Sequence, residues 1–229
     1  VISSLLANIY LHYAQDLWAD QWRGRHTGGD VIIVRYADDS VVGFQYKNDA
    51  ERFLKDLVER MGKFGLKLHP DKTRLIEFGR FAESNRRKRG EDKPETFDFL
   101  GFTHSCSKTR NGKFFIRRKT IKKRFVKKCK EVKQELKERM HDNVKETGKW
   151  LNSVIIGFQN YYAVPGNMNL VKSFYDQTTR AWLYTLRRRS QKGRNFTWER
   201  FEKLIRWLIP RVRLVHPFPS QRFQRYYPR

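Results

Sequence analysis

Cysteine is scarce in this sequence of 229 residues: Cys106 and Cys129 are the whole supply. No CxxC or CxxH spacing occurs, so the usual frames of a structural zinc site are lacking and no zinc is expected. Reduced thiols are the expected state. Long apolar runs are missing as well. No stretch of 18 or more apolar residues occurs, and no membrane-spanning helix is expected. The opening VISSLLANIYLHYAQDLW has neither the basic start nor the small-residue cleavage site of a signal peptide. It begins without Met and in the middle of a helical pattern, as a fragment would. Hydrophobic residues make up only 39% of the chain, yet 17 Phe, 10 Tyr and 6 Trp exclude a disordered basic tail.

The remaining shortage is of acid, and it is local. Residues 1–79 hold 11 Lys or Arg against 11 Asp or Glu, whereas residues 80–229 hold 38 against 13. The whole net charge of +25 therefore belongs to the C-terminal two-thirds. So large a surplus of one sign repels itself unless a polyanion neutralises it, and nucleic acid is the expected partner. A membrane surface is the weaker alternative, because the basic stretches lack flanking apolar anchors.

Periodicity places the elements. Leu5, Ile9, Tyr13 and Leu17 recur every four residues, which predicts a helix over 4–22. Strands are expected at 31–35 and 40–46 around a tight turn at Ala37-Asp38-Asp39. Asn48 and Glu51 resemble a capping box for a helix carrying Phe53, Leu54, Leu57, Val58 and Met61, which Gly65 ends. Residues 66–68 and 73–78 read as strands around His69-Pro70-Asp71, and 80–96 as a surface loop. A strand is expected at 97–103, and Asn111-Gly112 signals a hairpin turn. Three helices follow, built on Ile121, Phe125, Cys129, Val132, Leu136 and Met140, then on Trp150 to Phe158, then on Leu170 to Leu186, with Pro165 and Gly166 before the last. A fourth covers about 198–209, and Pro210, Pro217, Pro219 and Pro228 mark a basic tail. The fold class expected is α+β: a mostly antiparallel sheet with helices, then an α-helical bundle.

VIIVRYADDSVVGF, residues 31–44, sets Asp38 and Asp39 inside an apolar stretch. Asp-Asp at a tight turn also occurs for conformational reasons alone, since Asp tolerates turn dihedrals. Against that reading, the flanking strands are apolar enough to be largely buried, and neighbouring carboxylates repel. Mg²⁺ relieves such repulsion and binds through one or two carboxylates plus substrate phosphates. Two ions about 4 Å apart serve in-line displacement at phosphorus.

Tyr36-Ala37-Asp38-Asp39 between two apolar strands resembles the palm motif of reverse transcriptases. The ordered set around it is more specific: VISSLLANIYLH before it, then Gly65-Leu66-Lys67-Leu68 with His69-Pro70-Asp71-Lys72-Thr73, then Phe97-Asp98-Phe99-Leu100-Gly101-Phe102 as a primer-grip strand. GFQNYYAVPGN, AWLYTLRRRSQKG, TWERF and VHPFPSQRF resemble the thumb (maturase) region of group II intron-encoded reverse transcriptases. Ser4 stands where that family usually has Pro, and a helix N-cap is a role open to it.

The resemblance implies a partial polymerase palm over 1–118 and a helical thumb over 119–229. It implies RNA-directed DNA polymerase and intron-splicing maturase activities, with two Mg²⁺ ions, dNTP, an RNA template with a DNA primer and group II intron RNA as partners. A bacterial-type cytoplasmic ribonucleoprotein is the implied setting. Asp38 and Asp39 would ligate metal together with a third Asp on an earlier strand outside this sequence; Asp30, roughly 20 Å away by strand rise, is no substitute. Lys72 would protonate pyrophosphate, with a plain surface lysine as the alternative. Tyr36 and Ala37 would meet the nucleotide or primer end, and Phe99, Leu100 and Gly101 would hold the primer strand; each is otherwise an ordinary strand or core residue. Lys122, Lys123, Arg124, Lys127 and Lys128, and a second acid-free cluster of Arg187, Arg188, Arg189, Lys192 and Arg194, would track phosphates. A non-catalytic RNA-binding maturase and a retron or CRISPR-associated reverse transcriptase are the competing readings.

Overall fold

The computed structural model divides into two compact units, residues 1–77 and 78–229. The structure describes residues 2–109, 111–219 and 221; the tail prolines' last member, Pro228, and the end of VHPFPSQRF lie outside them.

The first unit begins with α1 (Ile2–Leu11), a π-helical turn (His12–Asp16) and α2 (Leu17–His26) in unbroken succession. Ser4 lies inside α1, so it does not cap it. The expected stripe of Leu5, Ile9, Tyr13 and Leu17 is exposed along its length. The buried residues of this stretch are instead Ala14 and Gln15 within the π-turn and, after it, Ala19 and Trp22. Strands β1 (Val31–Tyr36) and β2 (Asp39–Phe44) pair antiparallel from Val31↔Phe44 to Tyr36↔Asp39. Ile33, Val42 and Phe44 pack beside Trp22, Phe53, Leu57 and Met61. The other face of β1, with Ile32, Val34 and Tyr36, is open, so the hairpin is half-buried and not largely buried. Trp22 meets Phe53 edge to face at 4.9 Å and donates its indole N–H to Asp56 at 2.7 Å.

Helix α3 (Lys47–Lys63) starts two residues earlier than a capping box at Asn48 requires: Asn48 lies within its first turn and no side chain caps it. Its C-terminus follows the expectation. Gly65 adopts φ +67°, its N–H bonds to the Gly62 carbonyl, and Leu66 N–H reaches back to Met61 at 2.9 Å, a Schellman closure. Residues 66–68 and 73–78 are not strands. Leu66 and Leu68 pack beside the core of the unit, but the sheet there has only the two strands β1 and β2.

In the second unit, the polar stretch 80–96 contains a short helix, α4 (Ala82–Lys88), closed by Gly90 at φ +71° with the same pair of reverse bonds. The expected strand 97–103 is two strands. β3 (Phe97–Phe99) turns at Leu100-Gly101 into β4 (Phe102–Lys108), and β4 pairs antiparallel with β5 (Phe114–Thr120). Leu100 (φ +47°) and Gly101 (φ +78°) both take the left-handed region that a two-residue hairpin turn demands.

Helices α5 (Lys122–Glu138), α6 (Val144–Tyr162), α7 (Met168–Arg188) and α8 (Trp198–Leu208) then build the bundle. Phe125, Cys129, Val132 and Leu136 bury one stripe of α5 against Leu151, Ile155 and Phe158 of α6 and Val171, Phe174 and Trp182 of α7. Phe158 and Phe174 stack at 3.9 Å. Asn167, fully buried between α6 and α7, ties sheet to bundle. Its amide donates to Thr120 Oγ1 (2.8 Å) and the Tyr162 carbonyl (2.9 Å) and accepts from Thr120 N–H (3.0 Å). The architecture is α+β, as expected. Among the described residues no helix is long and apolar enough to cross a membrane.

Candidate active site and nucleic-acid surface

The β1–β2 hairpin leaves only Ala37 and Asp38 outside its ladder, because Tyr36 and Asp39 still pair. The turn is therefore one residue tighter than the Ala37-Asp38-Asp39 turn that the sequence suggests. Ala37 sits at φ +54°. An L-residue there is strained by about 1–2 kcal/mol, and such strain persists only where neighbours over-determine the backbone.

The neighbour is Arg35. It occupies the inward-facing side of β1 with Val31 and Ile33, and its side chain is only 14% exposed. A charge on that side needs partners, and it has three. Nε and Nη2 form a two-pronged pair with Asp16 at 2.7 and 2.6 Å, and Nη1 donates to Asn8 Oδ1 at 3.0 Å and to the Ala37 carbonyl at 2.8 Å. The hydrogen bonds from Arg35 hold the Asp16 carboxyl below the usual carboxylate range. The sequence reading missed Arg35 and Asp16. The signal was present, since strand alternation puts position 35 on the apolar side.

Asp38 and Asp39 are exposed at the tip, and neither is engaged by a cation among the described residues. Two adjacent carboxylates are a hard-oxygen donor set that suits Mg²⁺. Among the described residues no three His, Cys, Asp or Glu side chains gather into a metal site, so an ion held by the pair would need further ligands. Tyr36 is exposed beside them on the open face of β1. Lys72 lies exposed in the 70–72 turn, where its backbone N–H bonds to the His69 carbonyl at 3.2 Å. No hydrogen bond or ion pair among the described residues brings its ammonium to Asp38 or Asp39.

In the second unit the structure does bring predicted residues together. The Leu100-Gly101 turn rests against the start of α5 and the end of α6. Ile121 N–H donates to the Gly101 carbonyl (3.1 Å) and Tyr161 Oη to the Leu100 carbonyl (2.9 Å). A Cβ on Gly101 would lie 3.2 Å from Tyr162 Oη and 3.3 Å from Arg124 Nη1. Phe102 stacks on Tyr161 at 5.9 Å, and burial pushes the Tyr162 hydroxyl up. Arg124 thus belongs to the surroundings of this turn.

All the basic residues of α5 are exposed, but they differ in company. The helical repeat lines up Lys123, Lys130 and Lys137, with Lys122 and Lys133 beside them and no acid between. Arg124, Lys127 and Lys128 share the other flank with Glu131, Glu135 and Glu138, and Lys128 pairs with Glu131 at 3.5 Å. Lys130, Lys133 and Lys137 were outside the expected set; reading the run by helical phase identifies them. In the second cluster, Arg187 donates to the Phe196 carbonyl (2.9 Å) and Arg189 to the His141 carbonyl (3.0 Å). Arg188 lies over Tyr184, while Lys192 and Arg194 are exposed in a 3₁₀ turn, Lys192–Asn195.

No curated protein matches the chain. Residues 1–104, from α1 into β4 and including the Asp38-Asp39 hairpin, match the family of reverse transcriptases (RNA-dependent DNA polymerases).

Proposed function

We propose that this chain is the palm and thumb portion of an RNA-directed DNA polymerase of the group II intron type that also assists splicing. The observation that carries the reading is the hairpin: two adjacent carboxylates, unpaired by any described cation, at the tip of a strained turn inside a segment similar to reverse transcriptases. Asp38 and Asp39 would hold Mg²⁺ with further ligands from outside the described residues. Bound there, the ions would supply charge neutralisation for a 3′ hydroxyl attacking a dNTP and for departing pyrophosphate. The chain's own residues then do the positioning. The turn presents both carboxylates on one rigid edge, Tyr36 and Ala37 flank the reacting end, and the Phe99-Leu100-Gly101 corner holds the primer strand. Lys72 is assigned to pyrophosphate. The basic surface of residues 78–229 binds the RNA template with its DNA primer and the intron RNA, mainly through phosphates. The palm extends over 1–118 and the thumb over 119–229.

Primer extension on an RNA template, by the full-length protein and its Asp38→Ala, Asp39→Ala variant, tests the assignment. Extension is expected to fall by about 10³-fold or more, an order of magnitude consistent with removal of metal-held transition-state stabilisation. Equal extension by both would refute it. The second reading is a non-catalytic RNA-binding maturase, in which the carboxylate hairpin is kept and polymerisation is lost. In that case the double variant retains splicing assistance and neither protein extends a primer.

A further inference from the structure

We infer that Arg35 is a positioning residue for the Asp38-Asp39 turn and that the π-turn at 12–16 serves to hold Arg35 in place; the inference rests on the polymerase reading above. Four of the five guanidinium N–H donors are committed. Two go to Asp16 and one to Asn8, all on the opening helices, and one goes to the carbonyl of Ala37. The last bond fixes the peptide plane between Ala37 and Asp38. That plane sets the direction in which Asp38 leaves the hairpin. It is the only peptide link of the turn that lies wholly outside the strand ladder.

Asp16 reaches Arg35 because the helix is not α-helical there. His12–Asp16 is a single π-turn, whose wider loop of backbone accommodates an extra residue and so shifts the helical phase between α1 and α2. It buries Ala14 and Gln15 and leaves Asp16 on the side of Arg35. A π-turn loosens carbonyls from the regular ladder, and here they are taken up from outside the helix. Arg60 of α3 donates to the Tyr13 carbonyl at 3.1 Å and the Ala14 carbonyl at 3.0 Å, its guanidinium lying 4.5 Å from the Phe64 ring centroid. A chain of directed bonds therefore runs from α3 through Arg60 to the π-turn, through Asp16 to Arg35, and through Ala37 to the metal-facing carboxylates. Such π-turns inside helices often mark functional positions. A salt bridge needed only for stability would have no reason to end on a strained turn peptide.

The test uses the full-length protein carrying Arg35→Gln, Arg35→Lys or Asp16→Asn, the last nearly isosteric and least disruptive to folding. Amide hydrogen exchange at Asp38 and Asp39, without metal or nucleic acid, should rise at least tenfold in all three, while the amides of α3 keep their protection. In primer extension, kcat should fall roughly 10- to 100-fold with KM for the template-primer changed less than about threefold, because the phosphate-binding cations lie elsewhere. Arg35→Lys keeps the charge but cannot make the two-pronged pair together with the Ala37 bond, so it should not rescue. Unchanged exchange at Asp38 and Asp39 in Asp16→Asn, or full recovery of kcat by Arg35→Lys, would overturn the inference. Failure of the polymerase reading is recognised separately, by undiminished extension in Asp38→Ala, Asp39→Ala.

Discussion

At the scale of single residues, this protein repeatedly places a polar group where its surroundings are apolar and then satisfies it with directed bonds. Arg35 and Asn167 are the two fullest cases. His104 is a different one. It stacks on Phe97 with ring centroids 4.8 Å apart and nearly parallel planes, and burial lowers its pKa, outweighing nearby backbone hydrogen bonds that act the other way. The neutral ring is the form that fits between Phe97 and β5. The folded state therefore binds fewer protons than the unfolded chain wherever the unfolded imidazole, with its ordinary pKa of about 6.5, is protonated. The contribution of His104 is complete above that value and is lost as pH falls from it toward the depressed folded value. Urea midpoints measured in steps from about pH 8 to about pH 5 should drop on the acid side in the parent. His104→Phe, which retains the stack without the titrating group, should flatten that part of the profile. An unaltered profile in the variant would show that His104 is indifferent to its burial.

At the scale of elements, the sequence is most legible where burial follows a period. The stripe Phe125, Cys129, Val132, Leu136 determined α5 because one apolar residue per turn has only one place to go, and α6 and α7 were visible for the same reason. Gly65 and Asn111-Gly112 were legible because only a few residues accept positive φ. Residues 66–68 and 73–78 were misread because apolar content reports burial and extension, whereas a strand also needs a partner. FDFLGF was read as a single strand because Leu at φ +47° is an uncommon turn former; the cost is met by bonds from Tyr161 and Ile121 that arise far away in sequence. For the candidate site, the carboxylate pair was legible and its support was not, since Asp16 faces Arg35 only through a π-turn that no periodicity announces. The same gap between local preference and packing predicts an effect of sign. Gly148 lies inside α6, where Ala is the better helix former by about 1 kcal/mol. A Cβ there would sit 2.5 Å from Leu208 Cδ1 of α8 and 2.9 Å from the ring of Trp182 on α7. Leu208 can rotate away, but Trp182 is fully buried and rigid. Overpacking of about 1–3 kcal/mol should exceed the propensity gain. Gly148→Ala is thus expected to lower the thermal midpoint, and a raised midpoint would mean that the three helices separate freely at that point.

For the whole molecule, the division of charge coincides with the division of structure. Residues 1–77 carry no net charge and residues 78–229 carry all of the +25. On the polymerase reading proposed above, a neutral unit presenting two carboxylates and a strongly basic unit would serve different parts of one task, reaction at a metal and retention of a polyanion. Net charge alone does not say which cations touch phosphate, because mixed-sign flanks spend theirs on internal pairs, as Lys128 does with Glu131 and Arg139 with Glu135 at 2.7 Å. The acid-free line of Lys122, Lys123, Lys130, Lys133 and Lys137 has no such partner among the described residues, and it runs the length of α5, as a backbone-tracking surface should. Removing one phosphate-bound cation should reduce the salt dependence of binding by roughly 0.7 in the log–log slope on single strands, so substituting all five lysines by Gln should flatten it by about 3.5. Arg124→Gln, Lys127→Gln and Lys128→Gln together should flatten it by less per residue, because those cations have acids for neighbours. Fluorescence anisotropy with a single-stranded RNA across a salt series measures both slopes. Equal flattening per substitution in the two sets would mean that α5 acts through bulk charge and that its helical phase is irrelevant to recognition. A greater flattening from the lysine line would place the nucleic acid along that one face.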